Sequence, residues 1–239
     1  MLRQVVNYQK ALWLSTYSFS GMSKDWRRSI PDYLSFVPLV LSTLIFGAAL
    51  PQFWFILSGI VFAISFYDGR IRGNSYFEYL PVKRGFKVMN FYVWLFVMMA
   101  GTLVVTAASM GFLGCAALVA VTVLVEPVGV NELSMAFSMG VELLEFFTAW
   151  FSIMLVSGSL VLTTCFLKRF TGRLLARLVL AGVILWGGYW LSQTEGFLGI
   201  TDFFEFTGQY GVGISGIAVL VFMMCLCAAV LLQQGKRQA

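Results

Sequence analysis

The chain has 239 residues, of which 59% are hydrophobic and only 11% charged, with a net charge of +5 and no histidine. A soluble domain carries about 25% charged residues, so the composition excludes an ordinary water-soluble globule and reads as an integral membrane protein. The missing histidine excludes bis-His haem ligation, His-based metal sites, Ser-His or Cys-His catalysis and His proton relays.

The sixteen basic residues fall into four groups: Arg3 to Arg28, Arg70 to Lys87, Lys168 to Arg177, and Lys236 with Arg237. Seven of the eleven acids lie in two of the intervals, with Glu126, Glu132, Glu142 and Glu145 in one and Glu195, Asp202 and Glu205 in the other. Cytoplasmic loops collect Lys and Arg, and this bias sets orientation. With all four groups inside, each interval crosses the bilayer an even number of times. Two crossings each give six spans with both termini cytoplasmic. The positives are therefore topological and point to a lipid surface rather than to nucleic acid. The expected fold is an all-α, six-span protein, N-in and C-in, in a bacterial inner membrane.

In chain order, residues 1–33 are expected to be a cytoplasmic surface segment. Tyr8, Leu12, Trp13, Tyr17 and Trp26 share it with Arg3, Lys10, Lys24, Arg27 and Arg28, which fits an amphipathic helix on the membrane or a simple flanking tail. No cleavable signal pattern precedes the first long apolar run. The transmembrane domain, 34–239, then opens with spans at about 34–50 and 53–67, joined by a short turn at Pro51 and Gln52. An inner loop follows over 68–90. Pro81 should end any helix approaching it, and Val82 to Met89 starts a new one.

The apolar run Phe91 to Val125 would be about 52 Å long as one straight helix, against a hydrocarbon core of about 30 Å. Gly111 and Gly114 mark the expected break, giving a third span at 91–110 and an outer extension over 111–126. The fourth and fifth spans are expected at 141–167 and 174–191. Residues 192–211 are read as an outer interfacial or shallow re-entrant element, and the sixth span as 212–232. Cys115, Cys165, Cys225 and Cys227 all lie in apolar runs, where free Cys acts as a small hydrophobe.

Motifs for chemistry are sparse. The sequence contains no G-x-x-x-x-G-K-[ST], G-x-S-x-G or H-E-x-x-H, so by itself the chain is expected to be no enzyme and to bind neither nucleotide nor metal. Glu142 and Glu145 are three apart and share a helix face. They read either as a pair facing an outer cavity, gripping a cation or cationic substrate, or as a water-exposed pair at a helix end. The glycines of the last two spans, Gly182, Gly187, Gly188, Gly211, Gly213 and Gly216, read as helix-packing positions.

The most specific segment is Tyr79-Leu80-Pro81-Val82-Lys83-Arg84. It resembles the Leu-Pro-[Val/Ile]-x-Arg segment that follows the second span in small ABC-2-type permeases, the membrane subunits of ATP-driven exporters. Cys165-Phe166-Leu167-Lys168-Arg169-Phe170 resembles the inner end of that family's fourth span, and the six-span outline agrees along nearly the whole chain. The long apolar run to Val125 departs from the family pattern. The resemblance implies an exporter permease for an amphipathic or hydrophobic substrate, peptide or lipid-like, working with a second permease copy or a related chain. It implies that ATP and magnesium belong to separate ATP-binding cassette subunits, with no cofactor in this chain. It also implies that Tyr79, Leu80, Pro81, Val82, Lys83, Arg84 and Lys87 form the loop docking on those subunits. The alternative is a non-catalytic structural subunit of a larger membrane complex, with the apolar outer segment as its interface.

Overall fold

A computed structural model describes residues 31, 33–47, 50, 52–66, 84–124, 130–167, 169–193 and 200–234. Side chains are described for the same residues apart from 65, 66, 84, 113, 115–124, 130–144, 200–209, 212 and 234. The described residues form α1 (Val37–Gly47), α2 (Gln52–Phe66), α3 (Arg84–Leu124), α4 (Val130–Cys165), α5 (Phe170–Gln193) and α6 (Ile200–Gln234), and no strand is present among them. The N-terminal surface segment and most of the inner loop, including Tyr79 to Lys83, lie outside the described residues. Among the described residues, four segments are long and apolar enough to cross a membrane: Gly85–Phe112, Glu145–Cys165, Phe170–Gln193 and Gly213–Gln233. Val37–Gly47 and Gln52–Ile64 are apolar but shorter. The chain is thus a multi-pass membrane protein by its helices.

Pro38 is the second residue of α1, where its missing N–H removes no helical hydrogen bond. The α1–α2 turn is tight. Leu50 donates its N–H to the Phe46 carbonyl at 2.7 Å, Phe53 donates to Leu50 at 3.0 Å, and the Trp54 indole N–H reaches back to the Gly47 carbonyl at 2.9 Å.

Two expectations about helix ends change. Helix α3 runs for 41 residues straight through Gly111 and Gly114, without the expected break. Helix α6 is continuous from Ile200, so the stretch before 212 carries its opening turns instead of a separate re-entrant element. The reason is the same in both places. A helical glycine costs only about 1 kcal/mol relative to alanine, whereas proline breaks a helix, and the chain has no proline after Pro127 and none between Pro81 and Pro127.

Helix α4 is the central post. It packs on α2, α3 and α6, while α1 packs on α2 and α5. Half of the membrane-crossing part of α4 is buried, against 17% for α5 and for α6. Glycines permit the closest crossing: a Cβ on Gly59 of α2 would lie 2.5 Å from the Met154 carbonyl oxygen and 3.1 Å from the Gly158 nitrogen of α4. Small residues let membrane helices approach in this way and gain dispersion contacts. Leu39, Ile60, Tyr92, Met99, Leu155 and Leu162 fill the core around the post. Tyr92 of α3 shares a 2.5 Å hydrogen bond with the Thr163 hydroxyl of α4 and stacks on Phe166, so the start of α3 lies beside the end of α4. In α6, Ser215 meets Ser152 of α4 at 3.2 Å, and Phe222 meets Tyr92 edge-on.

Candidate functional site

Two features stand out: an apolar cleft inside the bundle and a buried cation at one end of it. The cleft has a volume of about 390 Å³, within the usual range of ligand sites. Leu39 of α1, Ile56 and Ile60 of α2, and Val156 and Leu160 of α4 form its back wall. Leu180, Val183 and Ile184 of α5 stand on one side, and Ile214, Ile217 and Ala218 of α6 on the other. Helix α5 leans on α1, α6 leans on α4, and α5 and α6 share no substantial contact, so the cleft lies in the gap between them. Its polar lining side chains are Ser152 and Ser157. Both hydroxyls donate within their own helix, to Thr148 at 2.8 Å and Met154 at 3.2 Å.

The same helices continue to Arg177. Leu180 is one turn after Arg177 on α5, Val161 one turn before Thr164 on α4, and Leu39 one turn after Ser35 at the entry to α1. Arg177 is completely buried. Its Nε donates to the Thr164 hydroxyl at 3.2 Å and its Nη2 contacts the Cys165 sulfur at 3.5 Å. Its Nη1 donates to the Ser35 hydroxyl. The guanidinium carbon sits 3.5 Å from the centre of the Phe36 ring. A planar fork can serve several acceptors and an aromatic face at once, which an ammonium cannot. One side chain therefore ties the start of α1, the end of α4 and the first turns of α5 together, one turn beyond that end of the cleft.

No protein-family model, curated protein or solved structure matches the chain.

The residues singled out from the sequence do not converge on this place. Tyr79, Leu80, Pro81, Val82 and Lys83 lie outside the described residues, Arg84 begins α3 with its side chain undescribed, and Lys87 is half-buried in the first turn of α3. Glu142 and Glu145 both lie on α4, with Glu145 half-buried and the Glu142 side chain outside the described set. Thr163, beside the start of α3, is eighteen residues beyond Glu145, or about 27 Å along the helix. Of the two candidate groups, Lys87 at the start of α3 and Glu145 on α4 are thus well separated along the bundle. Of the glycines read as packing positions, Gly188 meets the Phe46 ring, while Gly182, Gly187, Gly211, Gly213 and Gly216 meet no neighbour among the described residues.

Sequence reading treated Arg177 as one of a loop group and missed its role. The signal was there: Arg177 falls three residues inside the stretch expected to be the fifth span, and an ionisable residue within a span is a functional candidate by default. The cleft had no such signal, because its lining is as apolar as any lipid-facing surface.

Proposed function

We propose that this chain is the permease subunit of an ATP-driven exporter of the ABC-2 type, moving an amphipathic or hydrophobic substrate with energy from separate ATP-binding subunits. The cleft carries this reading. It is walled by five of the six described helices, so relative movement of those helices changes its shape and access. The sequence segment Leu80 to Arg84 adds to it by running directly into α3. A push on that segment passes along α3 to the Tyr92–Thr163 bond and the Phe166 ring, and thence to α4, which lines the cleft. In this reading two permease chains sit in the inner membrane with both termini cytoplasmic, and ATP and magnesium are held by the partners. Glu142 and Glu145 then stand near the outer face, where cargo leaves.

Purification of the full-length tagged chain from its native membrane, followed by reconstitution, tests this. The expected outcome is a stable complex with a P-loop ATPase, whose turnover falls at least several-fold with Lys83→Glu combined with Arg84→Glu while membrane insertion is unchanged. Recovery with cofactor-bearing subunits and without any ATP-binding partner would replace this reading with that of a structural subunit.

A further inference from the structure

We infer that the gap between α5 and α6 is an acyl-chain site, and that the ligand it takes is the hydrocarbon chain of an anionic membrane phospholipid. The lipid's role as cargo rests on the permease reading; its binding does not.

The lining chemistry separates lipid from peptide. A peptide in the cleft would present an N–H and a C=O at every residue. The lining hydroxyls, Ser152 and Ser157, already donate to carbonyls of their own helix, so among the described lining residues no side-chain donor remains for a peptide carbonyl. Each amide group left unpaired in such surroundings costs roughly 2–7 kcal/mol. A hydrocarbon chain has no such requirement, and passing from the bilayer into this wall it exchanges one apolar surface for another at no desolvation cost.

Depth agrees with one leaflet. The lining stretch of α4 from Ser152 to Val161 spans about 14 Å along the axis, close to half of the ~30 Å hydrocarbon core. The position of the charges sets the polarity of the ligand. Arg173, Arg177, Leu180 and Ile184 follow one another at helical spacing along α5, with Arg169 one turn earlier at its entry, so the apolar wall leads at one end into a cationic stripe, in which Arg173 donates to the Leu167 carbonyl. Arg177 is buried and engaged, and Arg169 is exposed at the α4–α5 turn. A chain lying in the gap with its headgroup at this turn matches apolar to apolar and anion to cation. The gap opens sideways between α5 and α6, so the chain enters from the bilayer.

The test uses the purified full-length chain in phosphatidylcholine nanodiscs doped with phosphatidylglycerol carrying a photoreactive diazirine near the chain end. Adducts mapped by mass spectrometry are expected to concentrate on α4 between 152 and 161 and on α5 between 180 and 184. They should exceed those on the outward-facing Val179 and Trp186 several-fold. Val183→Trp and Ile217→Trp, each adding bulk at an exposed rim of the gap, should lower cleft adducts several-fold, with an unchanged size-exclusion profile. Val179→Trp should not lower them. Adducts spread evenly over all outward faces, or unaffected by the rim variants, would overturn the site. Equal labelling by a diazirine phosphatidylcholine would overturn the headgroup assignment. A photoreactive apolar peptide that labels the cleft and displaces the lipid would overturn the choice of lipid over peptide. Loss of ATPase co-purification would leave the lipid adducts unaffected, so the two readings fail separately.

Discussion

At the scale of single residues, Arg177 is the most consequential side chain. Burying a guanidinium is tolerable only when its donors are met and its charge is compensated, and here hydroxyls, a sulfur and an aromatic face surround it. Removing it leaves a void and takes a charged donor from the hydroxyls of Ser35 and Thr164, the latter keeping its own bond to the Val161 carbonyl. Arg177→Ala should therefore destabilise the fold by about 2–5 kcal/mol, read as a lower unfolding midpoint in detergent. Arg177→Lys should recover little of that, because an ammonium cannot reproduce the fork. Cys165 provides a local readout. It is buried beside the guanidinium, so in a background lacking the other three cysteines it should resist maleimide in the parent and react in Arg177→Ala. Unchanged protection would mean that Arg177 does not hold this end closed.

At the scale of elements, the tightest constraint is the α2–α4 crossing. Backbone atoms of Met154 and Gly158 face Gly59, and backbone cannot swing aside as a side chain can. Gly59→Ala should cost about 2 kcal/mol or more as an overpacking change. Gly188→Ala meets the ring of Phe46, which can rotate, and should cost less. Gly213→Ala meets nothing within 4 Å and should be neutral or slightly stabilising through helix propensity. Melting curves of the three variants check this order, and equal midpoints would contradict the close crossing. Tyr92→Phe deletes the hydroxyl that meets Thr163 and, at 3.4 Å, the Ser159 carbonyl of α4 and should cost about 1 kcal/mol, with a larger loss in ATPase coupling if α3 relays the push. The elements also show how far a sequence can be read. Apolar length located α2 and α5 closely, because each is a long apolar run between polar or turn residues, broken in α5 by Arg177 alone. It misjudged α3 and α6, because glycine weakens a helix without ending it, and in α3 the surrounding Ala, Leu and Met favour continuation.

At the scale of the whole molecule, the helices alternate in direction, and the α4–α5 turn lies at the end of the bundle where α3 begins. If the basic groups share one side of the membrane, single cysteines introduced at Arg169 and Gln193 of a cysteine-free parent should label from opposite faces of sealed vesicles. Labelling from the same face would overturn the six-span topology. The cleft itself was not legible from the sequence. Hydropathy describes each helix against its solvent, whereas a cleft depends on which helices stay apart, here α5 and α6, which share no substantial contact among the described residues. The buried arginine was only half legible: its position in a span could be read, but its partners come from Ser35 and Phe36, far away in the chain.

The pairing of α5 with α1 has a mechanical corollary. These two helices form a leaf that is joined covalently to the rest of the bundle in three places, through the α1–α2 turn, the α4–α5 turn and the chain segment from Gln193 to Ile200. A leaf held at both ends cannot tilt away end-first. It can only swing about the line through the α1–α2 and α4–α5 pivots, and the edge that moves is the side of α5 that faces α6, away from its link to that helix. Motion therefore widens or narrows a slot between α5 and α6, and under the proposed permease function cargo would pass through the side of the protein rather than down its axis. Spin labels at Val183 and Ile217 should report that swing as a change in separation between nucleotide states, while labels flanking either pivot stay at fixed distance.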